Sequence, residues 1–173
     1  MSPAPPFTRE TAHQKVKKAQ TLWNGQQVLP SAPSLFHTES PLIYPHFRDP
    51  QAVAKAYTES SIWRNRSTFL EGQPAIVDFL TQKWEKEKSY RLRKELFAFS
   101  DDRIAVQFWY EYQDAHDGMK WKRCYGLEDW TFAADGRMRK RMMSGNDIEI
   151  DEHERWFKNG VDVDKVEIGE AHW

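Results

Sequence analysis

The feature that most constrains this chain is a run of four segments, from Tyr90 to Asp147, in which apolar and polar residues alternate. A period of two is typical of strands, because successive side chains on a strand point to opposite faces of the sheet. Asp-Gly pairs at 117–118 and 135–136 favour tight turns between the segments. The sequence therefore predicts an antiparallel meander of four strands at 90–99, 103–113, 120–132 and 137–147.

The first ninety residues carry a helical period instead. Ala12, Val16, Ala19 and Trp23 recur at helical spacing after Thr8, which is suited to cap a helix. We then predict a short helix at 51–58, a strand at 61–66 and a helix at 71–84. Helices that precede a meander pack on one face of it, so we predict a cone-shaped α+β fold in which a curved antiparallel sheet is packed on N-terminal helices.

Two stretches fall outside these patterns. Residues 25–50 hold five prolines, so we predict an inserted Pro-rich loop at about 25–48. The residues from about 149 onward are rich in Asp and Glu, and we predict an exposed acidic tail there. The whole chain, residues 1–173, is then a single domain.

Composition limits the partners and the location. The net charge of −1 gives no reason to expect nucleic acid or an acidic membrane surface as a partner. No stretch approaches the ~20 apolar residues of a membrane span. Cys124 is the single cysteine and the first residues lack the apolar run of a signal peptide, so we predict a cytoplasmic protein. Metal-ligand spacing among the histidines and a Gly-rich phosphate loop are both absent from the sequence, so no cofactor is expected.

Five stretches carry a resemblance to a known family: PPFTRETA, WRNR, FLTQKWEKEKSYRLRKEL, DRIAVQFWYEYQD and SGND. They resemble an uncharacterised family of the nuclear transport factor 2-like (NTF2-like) superfamily, which also contains SnoaL-like polyketide cyclases, limonene-epoxide hydrolase and ketosteroid isomerase. The resemblance covers nearly the whole chain except residues 25–48 and the extreme C-terminus. It implies the cone-shaped fold, and it brings no activity with it.

The chain departs from that family at two places. Typical members pass from WN to DP within a few residues, whereas 24 residues separate Asn24 from Asp49 here. The usual GNENWEF is GLEDWTF, so Leu127 and Asp129 replace polar residues of the family pattern. We expect the inserted loop to cover the mouth of the cone or a dimer edge, and a ligand shared with typical members is not implied.

The stretch WRNR sets the orientation of one strand. Alternation puts Trp63 and Asn65 on one face, and Arg64 and Arg66 on the other. Exposing Trp63 or burying two arginines would be costly, so we predict that Trp63 and Asn65 point into the cone while both arginines point out.

The resemblance to ketosteroid isomerase implies the rest of a candidate site. It places Asn65 at a general-base position, Glu128 at the position of an oxyanion-stabilising acid, and Arg141 on the neighbouring strand facing the same cavity. These three residues are the catalytic candidates. The ligand-pocket walls are predicted to include Trp63, Trp130 and Met143.

Two alternatives stay open for this cluster. Glu128 in an apolar cavity could serve as an acid or base, with Asn65 and Arg141 orienting a carbonyl or carboxylate. A buried Glu128–Arg141 ion pair, bridged by Asn65, would instead be structural. A cavity of several hundred cubic ångströms would favour the first alternative, and a sealed ion pair would favour the second.

The sequence thus predicts a small-molecule-binding domain with a polar cluster in an apolar cone. An acid–base isomerase, cyclase or hydrolase is one alternative, and a non-catalytic ligand-binding or dimeric interaction module is the other. The expected ligand is small and either apolar or carbonyl-containing. We also predict a homodimer formed sheet to sheet through an outward face that bears Arg123 and Tyr125.

Overall fold

The computed structural model describes residues 2–25 and 48–173, so most of the predicted inserted loop lies outside the described residues. The elements are α1 (Arg9–Asn24), α2 (Pro50–Ala54), β1 (Tyr57–Asn65), β2 (Thr68–Glu71), α3 (Gln73–Lys86), β3 (Glu87–Phe99), β4 (Arg103–Asp114), β5 (Lys120–Phe132) and β6 (Met138–Glu149). Short 3-10 turns follow at Glu152–Glu154, Val163–Lys165 and Glu170–His172. Within the described ranges, no helix has the length and apolar character that a membrane crossing requires.

Helix α1 begins and ends where local chemistry dictates. The Thr8 side chain accepts a hydrogen bond from the Thr11 backbone N–H, and the Thr11 hydroxyl accepts one from the Thr8 N–H. These two bonds satisfy donors that a helix start leaves unpaired. At the other end, Gly25 takes a left-handed conformation with φ of 72°, which ends the helix. The predicted cap is confirmed.

The sheet has six strands in the order β2-β1-β6-β5-β4-β3. Strands β3 to β6 form the predicted antiparallel meander. The predicted α+β class with a curved sheet is confirmed, and the sheet is mixed, because β1 pairs with β6 in parallel. No hairpin joins these two strands, so no turn fixes their relative direction. The short strand β2 was not predicted, and it pairs with β1 as a hairpin.

The inner face of the sheet and the helices enclose the main core. Strand β4 contributes Ile104, Val106 and Phe108 to it, which follow the predicted alternation. The Phe108 ring lies directly over Gly126 of β5, where a Cβ atom would come within 2.0 Å of the ring. A side chain at Gly126 would therefore displace this ring, and the close contact is possible only with glycine.

Segment 150–173 packs against the outer face of the sheet, so the expectation of an exposed tail is wrong for its apolar residues. Phe157 is fully buried, and Val163 and Ile168 are nearly so, in a second core around Trp109. Glu111 accepts hydrogen bonds from the backbone N–H groups of Trp156 and Phe157, both at 2.9 Å. The apolar residues of this segment are spaced irregularly among acidic ones, so no period revealed them.

Candidate functional site

The polar residues predicted from the sequence meet at the centre of the cone. Arg141 of β6 donates to Oε1 of Glu128 on β5 and, at 3.1 Å, to Oδ1 of Asn65 on β1. Oε2 of Glu128 accepts from Nζ of Lys94 on β3 and from Nε1 of Trp130, both at 2.7 Å. We call Asn65, Lys94, Glu128 and Arg141 the Glu128 cluster. The structure brings the three predicted residues together; their predicted catalytic role is a separate question and stays a prediction.

The charges of the Glu128 cluster are almost completely buried, with exposed fractions of 4% for Glu128 and 2% for both Lys94 and Arg141. Burial by itself would raise the pKa of Glu128, but the nearby Arg141 and Lys94 lower that pKa to about 2. Burial lowers the pKa of Lys94 to about 8, and the Glu128 carboxylate opposes this effect. At neutral pH the cluster therefore holds an ionised Glu128 between two cations.

Aromatic rings enclose the cations of the cluster. The Arg141 guanidinium lies 4.6 Å from the ring centroid of Trp63 and 4.9 Å from that of Trp23. Nζ of Lys94 lies 4.8 Å from the centroid of Phe108 and 5.3 Å from that of Trp130. Cations over aromatic faces are attracted electrostatically, most strongly where water is excluded. The rings therefore stabilise both charges and close the space around them.

Very little free volume remains beside the cluster. The cavity that it lines with Trp23, Tyr90 and Tyr110 has a volume of about 10 Å³. That is enough for about one water molecule and not for an organic ligand. The geometry thus corresponds to the sealed ion pair that the sequence left open as an alternative.

A larger cavity, of about 280 Å³, lies between α1, α2 and the adjoining ends of β1, β5 and β6. We call it the α1–α2 pocket. Trp23 contributes to both cavities. The apolar wall of the α1–α2 pocket is formed mainly by Ala19, Leu22, Trp23, Val53, Ala56, Tyr57, Trp130, Phe132 and Met138.

The three predicted pocket residues fall in different places. Trp130 lines the α1–α2 pocket, and Met143 lines the small cavity beside the cluster. Trp63 lines neither of these cavities; it packs among Trp23, Tyr57 and other aromatic rings of the core. Any contact of these residues with a ligand stays a prediction.

The prediction that both arginines of WRNR point outward is correct for Arg64 and wrong for Arg66. Arg64 bonds to Ser144 on the outer face. Arg66 follows the last residue of β1 and has a φ of 58°, so strand alternation no longer applies to it. Its guanidinium turns to the inner face, where it contacts Cys124 at 3.1 Å and Asp147 at 2.7 Å.

Lys94 was missed as a cluster member. In the sequence it belongs to a strongly charged stretch and resembles a surface lysine. Strand alternation nevertheless places Lys94 on the same face as Leu92 and Leu96, which both pack in the core. This alternation could have identified Lys94 as an inward-facing residue.

Comparison with known proteins extends the sequence resemblance. The family model described as "Protein of unknown function (DUF1348)" matches residues 45–158. No curated protein matches the chain. Several solved structures share the fold at low identity, which shows likeness of fold alone.

Three of these solved structures illustrate the range of proteins that share the fold. SalBIII, an epoxide hydrolase/cyclase-like enzyme in pyran ring formation of the polyether salinomycin, is 14% identical with a TM-score of 0.51, over 57% of this chain and 78% of that one. A protein from Shewanella denitrificans that is described as a SnoaL-like polyketide cyclase is 15% identical with a TM-score of 0.50, over 57% of this chain and 79% of that one. The third is a protein with a ketosteroid isomerase-like fold from Catenulispora acidiphila, in complex with trimethylamine. It is 6% identical with a TM-score of 0.51, over 56% of this chain and 74% of that one.

Proposed function

This chain belongs to the DUF1348 family, whose function is unknown, and from its geometry we propose that it is a small-molecule-binding domain that does not itself catalyse a reaction. The α1–α2 pocket carries the proposal. Its volume of about 280 Å³ is close to the lower end of the ~300–1,000 Å³ usual for ligand sites. Aromatic and aliphatic side chains form most of its wall, as is common in such sites.

The state of the Glu128 cluster supports binding over catalysis. Three donors already occupy the two oxygens of Glu128, and its pKa of about 2 leaves it without a proton to donate at neutral pH. Asn65 is engaged by Arg141 and carries no titratable group. We therefore propose that Asn65, Glu128 and Arg141 hold the centre of the cone and give the α1–α2 pocket a rigid back wall through Trp130.

Structures of the same fold lend further support. The Catenulispora acidiphila protein was solved with trimethylamine, so this fold holds a small molecule in that case. Only the general capacity for binding is carried over to this chain, because the identity is 6%. The nature of the ligand has to come from the residues of the pocket itself.

A fragment screen by ligand-observed NMR tests the proposal. Ala56 lines the α1–α2 pocket, so Ala56→Trp should fill it and abolish binding. Ala98→Trp, at an exposed position on β3, is the matched control and should bind as the wild type does. Hits that persist unchanged in Ala56→Trp, or a screen without hits, would contradict the proposal.

An acid–base enzyme is the second candidate, and the lowered pKa of Lys94, about 8, favours it. Buried lysines with lowered pKa values can act as bases. A substrate would then have to displace side chains around the cluster, since only about 10 Å³ is free there. Asn65 lines this small cavity and not the α1–α2 pocket. Chemical shifts of its side-chain amide during titration with a hit would therefore distinguish the two candidates.

Two further proposals concern assembly and location. We propose that the chain forms a homodimer through the outer face of the sheet. A cytoplasmic location is proposed from the single cysteine, Cys124, because a reducing compartment needs no disulfide. Light scattering tests the first proposal, and fractionation of cells that express the tagged full chain tests the second.

A further inference from the structure

The mouth of the α1–α2 pocket carries a local excess of positive charge. Four cations, Lys15, Lys18, Lys55 and Arg137, and one carboxylate, Asp135, contribute to its lining, which gives this small region a formal charge of +3. The whole chain has a net charge of −1. Arg137 is paired with Asp135 at 2.7 Å, so the excess resides on the three lysines.

Lys15 is the half-buried member of this group. Its Nζ donates to Oγ of Ser2 at 3.0 Å and to the carbonyl oxygens of Pro3, at 3.1 Å, and Gly136. All three acceptors are neutral. Among residues 2–25 and 48–173, no carboxylate oxygen lies within 4.0 Å of this nitrogen. The ammonium is thus oriented by hydrogen bonds while its charge lacks a direct counter-ion in the described part of the chain.

The electrostatic setting of Lys15 agrees with this geometry. Burial lowers the pKa of Lys15 to about 8, and the neighbouring Lys18 lowers it further, whereas Asp135 opposes both. An anion bound beside Lys15 would offset the cost of burial and the repulsion from Lys18. The wall of the pocket is therefore apolar, and the positive charge at its mouth is only partly balanced by Asp135.

From these observations we propose that the α1–α2 pocket binds an organic anion, with its apolar body against Trp23, Tyr57 and Met138 and its carboxylate at the lysines of the mouth. The inference rests on the proposed function, because it assigns a ligand class to the same pocket. A pocket that binds anions differs from a purely apolar pocket in one measurable respect, because it discriminates by charge between ligands of equal shape. Octanoate and octan-1-ol are suitable probes, since both have an eight-carbon chain and only one is an anion.

The experiment is a titration of the full chain with each probe, and isothermal titration calorimetry and protein NMR measure the binding. We expect octanoate to bind about tenfold more tightly than octan-1-ol, because the charge of Lys15 attracts its carboxylate and Lys18 or Lys55 can donate a charge-assisted hydrogen bond to it. Lys15→Met should lower this preference severalfold, because Lys18 and Lys55 remain. Added salt should weaken octanoate binding and leave octan-1-ol binding nearly unchanged.

A second variant protects the test from a folding defect in Lys15→Met. Lys18 and Lys55 are both exposed, so the double variant Lys18→Gln/Lys55→Gln should fold and should lower the preference for octanoate severalfold. The matched control is Lys158→Gln/Lys165→Gln, which removes two exposed lysines away from the pocket and should leave the preference intact.

The possible outcomes separate the two proposals. Equal affinity for both probes, abolished for both by Ala56→Trp, would overturn the anion preference and leave the pocket as a binding site. Octanoate preference that survives both lysine variants would also overturn the inference. Absence of binding of either probe, or binding that Ala56→Trp does not alter, would overturn the inference and count against the proposed function as well.

Discussion

Glu128 is the single residue on which the centre of the cone depends most. The Glu128 side chain is 1% exposed, and its carboxylate neutralises part of the charge of Lys94 and Arg141. Glu128→Gln would leave two cations in a dry site with no counter-ion. We expect this change to lower the free energy of unfolding by about 3–5 kcal/mol, the range for breaking a buried ion pair. Urea denaturation at pH 7 is the measurement.

The neighbouring Asp129 supplies a matched control for that experiment. It lies on the opposite face of β5 and pairs with Arg103, and both side chains are about half exposed. Exposed pairs contribute little to stability, so Asp129→Asn should leave the unfolding midpoint nearly unchanged. Equal effects of Glu128→Gln and Asp129→Asn would contradict a structural role for the cluster.

The dependence of stability on pH gives a second test of Glu128. Its pKa is about 2 in the folded chain and 4.5 as an ordinary carboxyl group, so the unfolded state binds the proton more readily. The stabilisation is therefore complete above pH 4.5 and is lost as the pH falls from there toward 2. We expect Glu128→Gln to remove this component, so that the stability difference between wild type and variant shrinks across that window. Chemical denaturation at several pH values measures it, and a constant difference would contradict the assignment.

At the scale of elements, the long strands with a mostly alternating sequence could be predicted, and deviations from alternation could not. Strands β3 to β6 span twelve or thirteen residues each, and the alternation within them was sufficient to predict their existence and order. Strand β2 spans four residues and is mostly exposed, so it carried no pattern. Arg66 adopts a positive φ just after β1, and no alternation rule extends through such a residue.

Segment 150–173 is the element that the sequence concealed, and Phe157 anchors it. Phe157 is fully buried against the outer face of the sheet. We expect Phe157→Ala to lower the free energy of unfolding by about 3–5 kcal/mol, as is usual for a buried Phe. Phe97→Ala is the matched control, because Phe97 is 69% exposed, lies away from the proposed dimer surface, and its loss should cost little. Guanidinium denaturation of both variants measures the change in the free energy of unfolding. A small change for Phe157→Ala would mean that the segment is only loosely attached to the sheet.

At the scale of the whole molecule, the resemblance to ketosteroid isomerase predicted that Asn65, Glu128 and Arg141 face one cavity, whereas strand alternation predicted only which face Trp63 and Asn65 occupy. The α1–α2 pocket could not be predicted. Its volume depends on how closely two helices approach the strand ends, and its lining draws on residues far apart in the chain, such as Lys15, Ala56 and Met138. No local pattern in a sequence encodes such a distance.

The outer face of the sheet divides into two halves with different exposure. Segment 150–173 covers the half around Trp109 and Arg123, which is therefore buried by the chain itself. The part of the surface that the sequence suggested for dimerisation is thus occupied at Arg123. The other half, toward β1 and β2, keeps apolar side chains in solvent: Ile62 is 47% exposed, Phe69 76% and Leu127 53%.

If the chain forms the proposed homodimer, this uncovered half is where a second copy would bury apolar surface. We expect light scattering at micromolar concentration to give twice the chain mass of 20.5 kDa. Phe69→Glu/Leu127→Glu should shift the protein to monomer, because each carboxylate would be desolvated in the interface. Phe97→Glu is the control, since Phe97 is 69% exposed on β3 at the far edge of the sheet and should not affect assembly. A monomeric wild type would refute the dimer, and a dimer that withstands the double variant would place its interface elsewhere.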